Sequence, residues 1–153
     1  MIDFYNAGMN AFEAKKFEEA YDFFIQEPEN PRCAFALGVL FYNGQGVKRD
    51  FKTSTHYYAI AAEAGIVPAQ VSAGFAYANA MGVPQDFAKA VSFLRPAAEV
   101  GEASAKITLA EIYAMGEAGG TRAEAAKLIR EVLSFSSSEE AMDIYNKYEL
   151  HKV

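Results

Sequence analysis

The residues best suited to chemistry in this chain are few, and the first to consider lie in one loop. The stretch NGQGVKRDF, residues 43–51, sets two glycines beside Lys48, Arg49 and Asp50, the composition of a loop whose backbone cradles a phosphate. Further along, NAMGVPQDF, residues 79–87, keeps Asn79, Gly82, Val83, Asp86 and Phe87 in register but has neither basic residue. A phosphate site would not survive that exchange, so the recurrence points to a structural role. His56 and His151 are far apart, with no Cys, Asp or Glu at ligand spacing, and the sequence implies no metal and no cofactor. Cys33 is the single cysteine; with no histidine partner it is expected in the core, not as a nucleophile. The carboxylates of KKFEEA and SSSEEA read as helix-start or solvated charges, with no sign that they converge for acid–base work. Catalytic residues are therefore assigned to none of these groups.

Composition narrows the classes further. The chain has 153 residues, 52% apolar and 22% charged, enough to bury a core of its own. No apolar run approaches the ~20 residues of a membrane span, so membrane insertion is not expected. The start, MIDFYNAGMN, has neither the basic region nor the long apolar run of a secretory signal, and a lone cysteine forms no internal disulfide. A reducing cytoplasm is the expected location. Net charge is −6, with lysines and arginines scattered, which argues against nucleic acid and anionic lipid as partners.

The elements that position these residues emerge from internal repetition. At a shift of 36 the chain aligns on itself in three units beginning at Cys33, Ala69 and Ala105. Gly38, Gly74 and Ala110 repeat a small residue, and Phe41, Tyr77 and Tyr113 repeat an aromatic three positions later. That spacing is one face of a helix, here helix A of each unit, where small residues admit a second helix and the aromatic fills the space beside it. Asp50 and Asp86 stand where a second helix needs an N-cap, and Thr121 with Glu124 forms a capping box. Helix B then ends at Gly65 and Gly101, suited to the left-handed turn that terminates helices. Residues 5–24 repeat the scheme with an interhelix loop four residues shorter, before Pro28 and Pro31 break the chain. Pro96 falls inside helix B of the second unit and is expected to kink it. Ser137 and Glu140 make a further capping box, opening a last helix with a polar outer face.

The pattern A-x3-LG-x2-Y, a G-x-GV loop, D-x3-A and AAE-x-G resembles the Sel-one-like repeat (SLR) family, a relative of the tetratricopeptide repeat. The resemblance covers roughly residues 5–137 and departs from the family pattern at Cys33 and Ser54, where an alanine would stand, and in the third unit, which lacks the loop valine and aspartate. It implies an all-α, right-handed α-solenoid (an α-α superhelix) of about four antiparallel helical hairpins plus a C-terminal capping helix. The divisions are a tetratricopeptide-like hairpin (1–31), repeat 1 (33–68), repeat 2 (69–104), a degenerate repeat 3 (105–137) and the capping helix (138–153). It also implies a non-enzymatic adaptor or scaffold that binds a protein or peptide partner. By analogy with tetratricopeptide hairpins, the concave groove is lined by Tyr5, Met9 and Phe12, by Phe35, Val39, Tyr42 and Asn43, by Val71, Phe75 and Asn79, and by Ile107, Glu111 and Met115. The run CAFALGVLFY in helix A of repeat 1 holds more apolar residues than one packing stripe requires, as expected of a groove for an apolar peptide or helix, although each of these residues also has a place in the core. Asn43 and Asn79 recur where related proteins grip peptide backbone, yet no lysine or arginine repeats beside them, and asparagine also ends helices. A monomer or weak homo-oligomer is expected; the other readings are a self-associating structural protein or a small-molecule binder or enzyme with a pocket between hairpins.

Overall fold

The computed structural model describes residues 1–153. Nine α-helices follow one another: α1 (Phe4–Glu13), α2 (Phe17–Phe24), α3 (Pro31–Asn43), α4 (Phe51–Glu63), α5 (Val67–Ala78), α6 (Phe87–Glu99), α7 (Ala103–Ala114), α8 (Arg122–Phe135) and α9 (Glu139–Lys147), with a 3-10 turn at Leu150–Lys152. Consecutive helices pack as antiparallel pairs, α1 on α2 through α7 on α8, and each pair stacks on the next. The core runs along the stack in three patches and is largest toward the C-terminal end, where α5 to α9 share one cluster.

The repeated small residue explains how each pair closes. A Cβ built on Gly38 would lie 2.5 Å from the Tyr58 ring, on Gly74 2.6 Å from Leu94 Cδ2, and on Gly8 2.6 Å from Phe24 Cδ1. Helix B thus presses a large side chain into the gap left by glycine on helix A. Beside this contact Phe41 stacks on Tyr57 at 6.0 Å and Tyr77 on Phe93 at 5.9 Å, pairs in the same register one repeat apart. In the third pair the register of Tyr58 and Leu94 holds Arg130, which instead donates to the Leu150 and Val153 carbonyls; Ala110 suffices there.

The helix starts are chemical. The Asp50 carboxylate accepts from the Lys52 and Thr53 amides at 3.0 and 3.2 Å, and Asp86 accepts from the Lys89 amide at 2.9 Å. Thr121 and Glu124 form a reciprocal capping box. Gly65 and Gly101, one residue past the caps of α4 and α6, have φ of +91° and +94°.

Two expectations need correction. Pro31 does not break the chain but opens α3, and Pro68 lies in the first turn of α5, because a first-turn proline loses no intrahelical hydrogen bond. Helix A therefore begins two residues before the aligned units do. The last helix is capped by Ser138, not Ser137; its hydroxyl accepts from the Ala141 amide, and Glu139 and Glu140 occupy the first turn, where they face the positive end of the helix dipole. Pro96 lies inside α6 as expected, and the helix continues past it as far as Glu99.

A candidate partner-binding face

The glycine loop is built as a joint between repeats. Gly46 has φ +70° and a Cβ there would sit 2.6 Å from the Glu18 amide nitrogen; Gly82 has φ +71° and its Cβ would sit 2.6 Å from Lys52 Cα. Each interhelix loop therefore lies directly on the start of helix B in the preceding pair. Thr55 adds a hydrogen bond across this joint, donating to the Met81 carbonyl at 3.0 Å. The N-terminus of α4 already holds a carboxylate, Asp50, whose hydrogen bonds to the Thr53 side chain and amide hold it below the usual carboxylate range. An anion there would meet that charge. Of the basic pair, Arg49 covers the Phe51 ring at 4.4 Å and Lys48 is exposed.

Two apolar cavities open along the helix-A face. The first, of about 220 Å³, lies between α1 and α3 and is lined by Tyr5, Met9, Phe12, Arg32, Phe35, Ala36 and Val39. Here the Arg32 guanidinium sits over the Tyr5 ring at 4.1 Å. The second, of about 370 Å³, crosses from α3 to α9. Tyr42, Val71 and Phe75 line it, as do Phe51, Thr55 and Tyr58 of α4, Met81 of the loop, Ser104 and Thr108 of α7, and Glu140 of α9. Tyr42 is 36% exposed and Phe75 44%. Burial pushes the Tyr58 hydroxyl up to about 12. No group of three or more His, Cys, Asp or Glu residues is placed to hold a metal ion, and His56 packs edge-on against Tyr57.

Of the thirteen residues placed on the groove by sequence, Tyr5, Met9, Phe12, Phe35 and Val39 meet at the first cavity and Tyr42, Val71 and Phe75 at the second. Asn43 and Asn79 are exposed and bond locally, Asn43 Nδ2 to Gln45 Oε1 and Asn79 Nδ2 to the Phe75 carbonyl; the latter bond, back across one turn, is that of a helix terminator. Ile107 is corrected out of the set, being 6% exposed within the same cluster as Ala141 and Ile144 of α9. The last helix packs alongside α7 where a further helix A would stand. Glu111 is held by it, with Lys147 Nζ at 3.3 Å and the Tyr148 hydroxyl at 3.5 Å. Met115 is 43% exposed and lines neither cavity. The lining residues missed are Phe51, Thr55 and Tyr58 of helix B, Met81 of the loop, the helix-A residues Arg32, Ala36, Ser72, Ala76, Ser104 and Thr108, and Glu140 of the cap. Phe51, Thr55 and Tyr58 carry a sequence signal, an i, i+4, i+7 stripe on α4; Glu140 carries none, since its position depends on how α9 docks.

Comparison with known proteins bears on the whole stack. The Sel1 repeat family model matches residues 31–66 and 67–102, which are the pairs α3–α4 and α5–α6. The crystal structure of a Sel1 repeat protein from Oxalobacter formigenes superposes with a TM-score of 0.78 and 26% identity, over 97% of this chain and 61% of that one. A protective antigen present in uropathogenic Escherichia coli strains, displaying an SLR fold, superposes with a TM-score of 0.69 and 21% identity, over 88% of this chain and 34% of that one. The chain thus spans less than two thirds of either protein. Comparison with curated proteins gives no match. No helix is long and apolar enough to cross a membrane. The chain thus carries two Sel1 repeats at its centre, within a helical solenoid that extends beyond them on both sides and is similar in fold to these SLR structures.

Proposed function

We propose that the chain is a non-enzymatic protein-interaction module whose helix-A face receives an apolar peptide or helix of a partner. Sel1 repeats are generally protein–protein interaction scaffolds. The observation that carries the reading is the second cavity: its walls come from two hairpins, from α7 and from the last helix, and two aromatic side chains, Tyr42 and Phe75, stand at its rim with a third or more of their surface open to solvent. Aromatic anchors beside an apolar recess are what interface hot spots are made of. The hydroxyls on this face are engaged within the fold: Thr55 donates to the Met81 carbonyl, Ser104 to the Glu102 carboxylate and Thr108 to the Ser104 carbonyl.

The test is selection of random peptides displayed on phage against the full chain, followed by affinity measurement on Phe75→Ala. Phe75 is half-exposed, so the variant keeps its helical circular dichroism spectrum. The selected peptides lose roughly tenfold or more in affinity, about 1.4 kcal/mol, when the ring is removed. Unchanged affinity in a folded variant would sink the reading.

A further inference from the structure

Charge divides the two cavities. The first contains its own cation, Arg32, laid over Tyr5 at 4.1 Å. The second has no Lys, Arg or His among its twelve lining residues, and its single carboxylate is Glu140. Glu140 is exposed and has no ion-pair partner within the chain. Its neighbour on the same face, Glu111, is met by Lys147, whose ammonium also lies 4.9 Å from the centre of the Tyr148 ring. The protein thus joins a lysine, a carboxylate and an aromatic ring at one point of this face and, a short way along, offers a carboxylate and aromatic rings without the cation. Phe75, on the rim, has no stacking or cationic neighbour of its own. Arg49 occupies the Phe51 ring and Tyr42 packs against the same ring at 5.4 Å, so the ring open to a partner's cation is that of Phe75.

We infer that the partner segment received by the second cavity carries a lysine or arginine, whose methylene stem packs against Phe75 and whose charge is met by Glu140. The inference rests on the groove reading above and names the chemistry of its occupant. A basic side chain suits the site twice over: the aromatic walls favour a cation over a neutral chain, and the stem covers apolar surface while the head reaches the carboxylate. The net charge of −6 draws basic segments toward the protein at low salt.

The same displayed-peptide selection tests it, run on the wild type, on Glu140→Gln, and on Glu63→Gln, which removes an equal charge outside the cavity. Wild type and Glu63→Gln enrich peptides with a lysine or arginine among apolar residues; Glu140→Gln does not. A selected peptide binds Glu140→Gln roughly three- to tenfold more weakly, an effect that shrinks in high salt, and its analogue with norleucine at the basic position binds wild type and Glu140→Gln alike. Peptides that need Phe75 yet show no basic enrichment, or that ignore Glu140→Gln, overturn the cation assignment and leave the groove standing. Peptides indifferent to Phe75→Ala, or no peptides at all, overturn both.

Discussion

Alanine at Gly82 separates two explanations of the loop glycines. One cause of a glycine is backbone conformation: φ is +71° at Gly82, and the left-handed region costs an L-residue about 1–2 kcal/mol. Yet the chain already tolerates that cost, because Ala80 stands at φ +55° in the register of Gly44, and Ala118 at φ +51° in the register of Gly82. The other cause is space. An added methyl at Gly82 meets the backbone of Phe51 and Lys52, 2.6 Å from Lys52 Cα, and backbone cannot rotate away as a side chain can. Relief requires parting the loop from the start of α4, an overpacking cost of about 1–3 kcal/mol on top of the conformational one. Gly101, at φ +94° with nothing within 4 Å of its added Cβ, supplies the control. Urea unfolding should place Gly101→Ala about 1 kcal/mol below wild type and Gly82→Ala about 2–5 kcal/mol below it, with unchanged slope if the stack still unfolds as a unit. Hydrogen exchange at the amides of the first turn of α4 should quicken in Gly82→Ala alone. Equal losses for the two variants, with no change at α4, would refute the claim that these loops hold successive repeats together.

Two further outcomes follow from burial. Desolvation raises the Tyr58 hydroxyl from its ordinary value of 10 to about 12; the folded state keeps this proton more tightly than the unfolded one, so the stabilisation is complete below pH 10 and is lost as pH rises toward 12. Burial raises Tyr57 as well, so tyrosinate absorbance during alkaline titration should show a late-ionising component that Tyr58→Phe reduces, and that variant should lose less stability than wild type across this window. Cys33 is fully buried, and desolvation, with the charge of Glu27 next, pushes its thiol up to about 11. A disulfide reagent should modify it only as fast as the protein opens, and Cys33→Ala should cost no more than about 1–2 kcal/mol, since Ala69 and Ala105 fill that register in the other repeats with no exposed surface. Rapid labelling of the folded protein would contradict the placement.

The fold was legible because each structural need recurs. Gly38 and Gly74, Asp50 and Asp86, Gly65 and Gly101 answer the same geometric demand one repeat apart, and self-alignment finds such pairs without knowing the demand. Register, however, is not boundary. Pro31 looked like a break outside the helices and proved to lie in the first turn of one; alignment fixes which residues correspond and is silent on where hydrogen bonding starts. The face was legible where one helix supplies it, as with Tyr5, Met9 and Phe12. It was not legible where packing of the last helix bears on exposure: Ile107 corresponds to the half-buried Phe35 and Val71 but is buried in a cluster that includes Ala141 and Ile144 of α9.

Comparison of the repeats with one another also locates where recognition resides under the proposed reading. Positions that close the hairpins stay nearly constant, glycine or alanine at 38, 74 and 110, because a change there moves the backbone. At the very next residue, on the side that faces the groove, the chain carries Val39, Phe75 and Glu111, three chemistries at equivalent points of one surface. The scaffold does not need them to agree, so each is free to match a different part of a bound segment. Arg32 at one cavity and Glu140 at the other give that surface opposite charges along its length. A partner that places a basic residue at Glu140 then has its acidic or neutral end toward Arg32, and reversing it would set like charges together. Under that reading, direction of binding would be selected by two residues that the stack itself does not require.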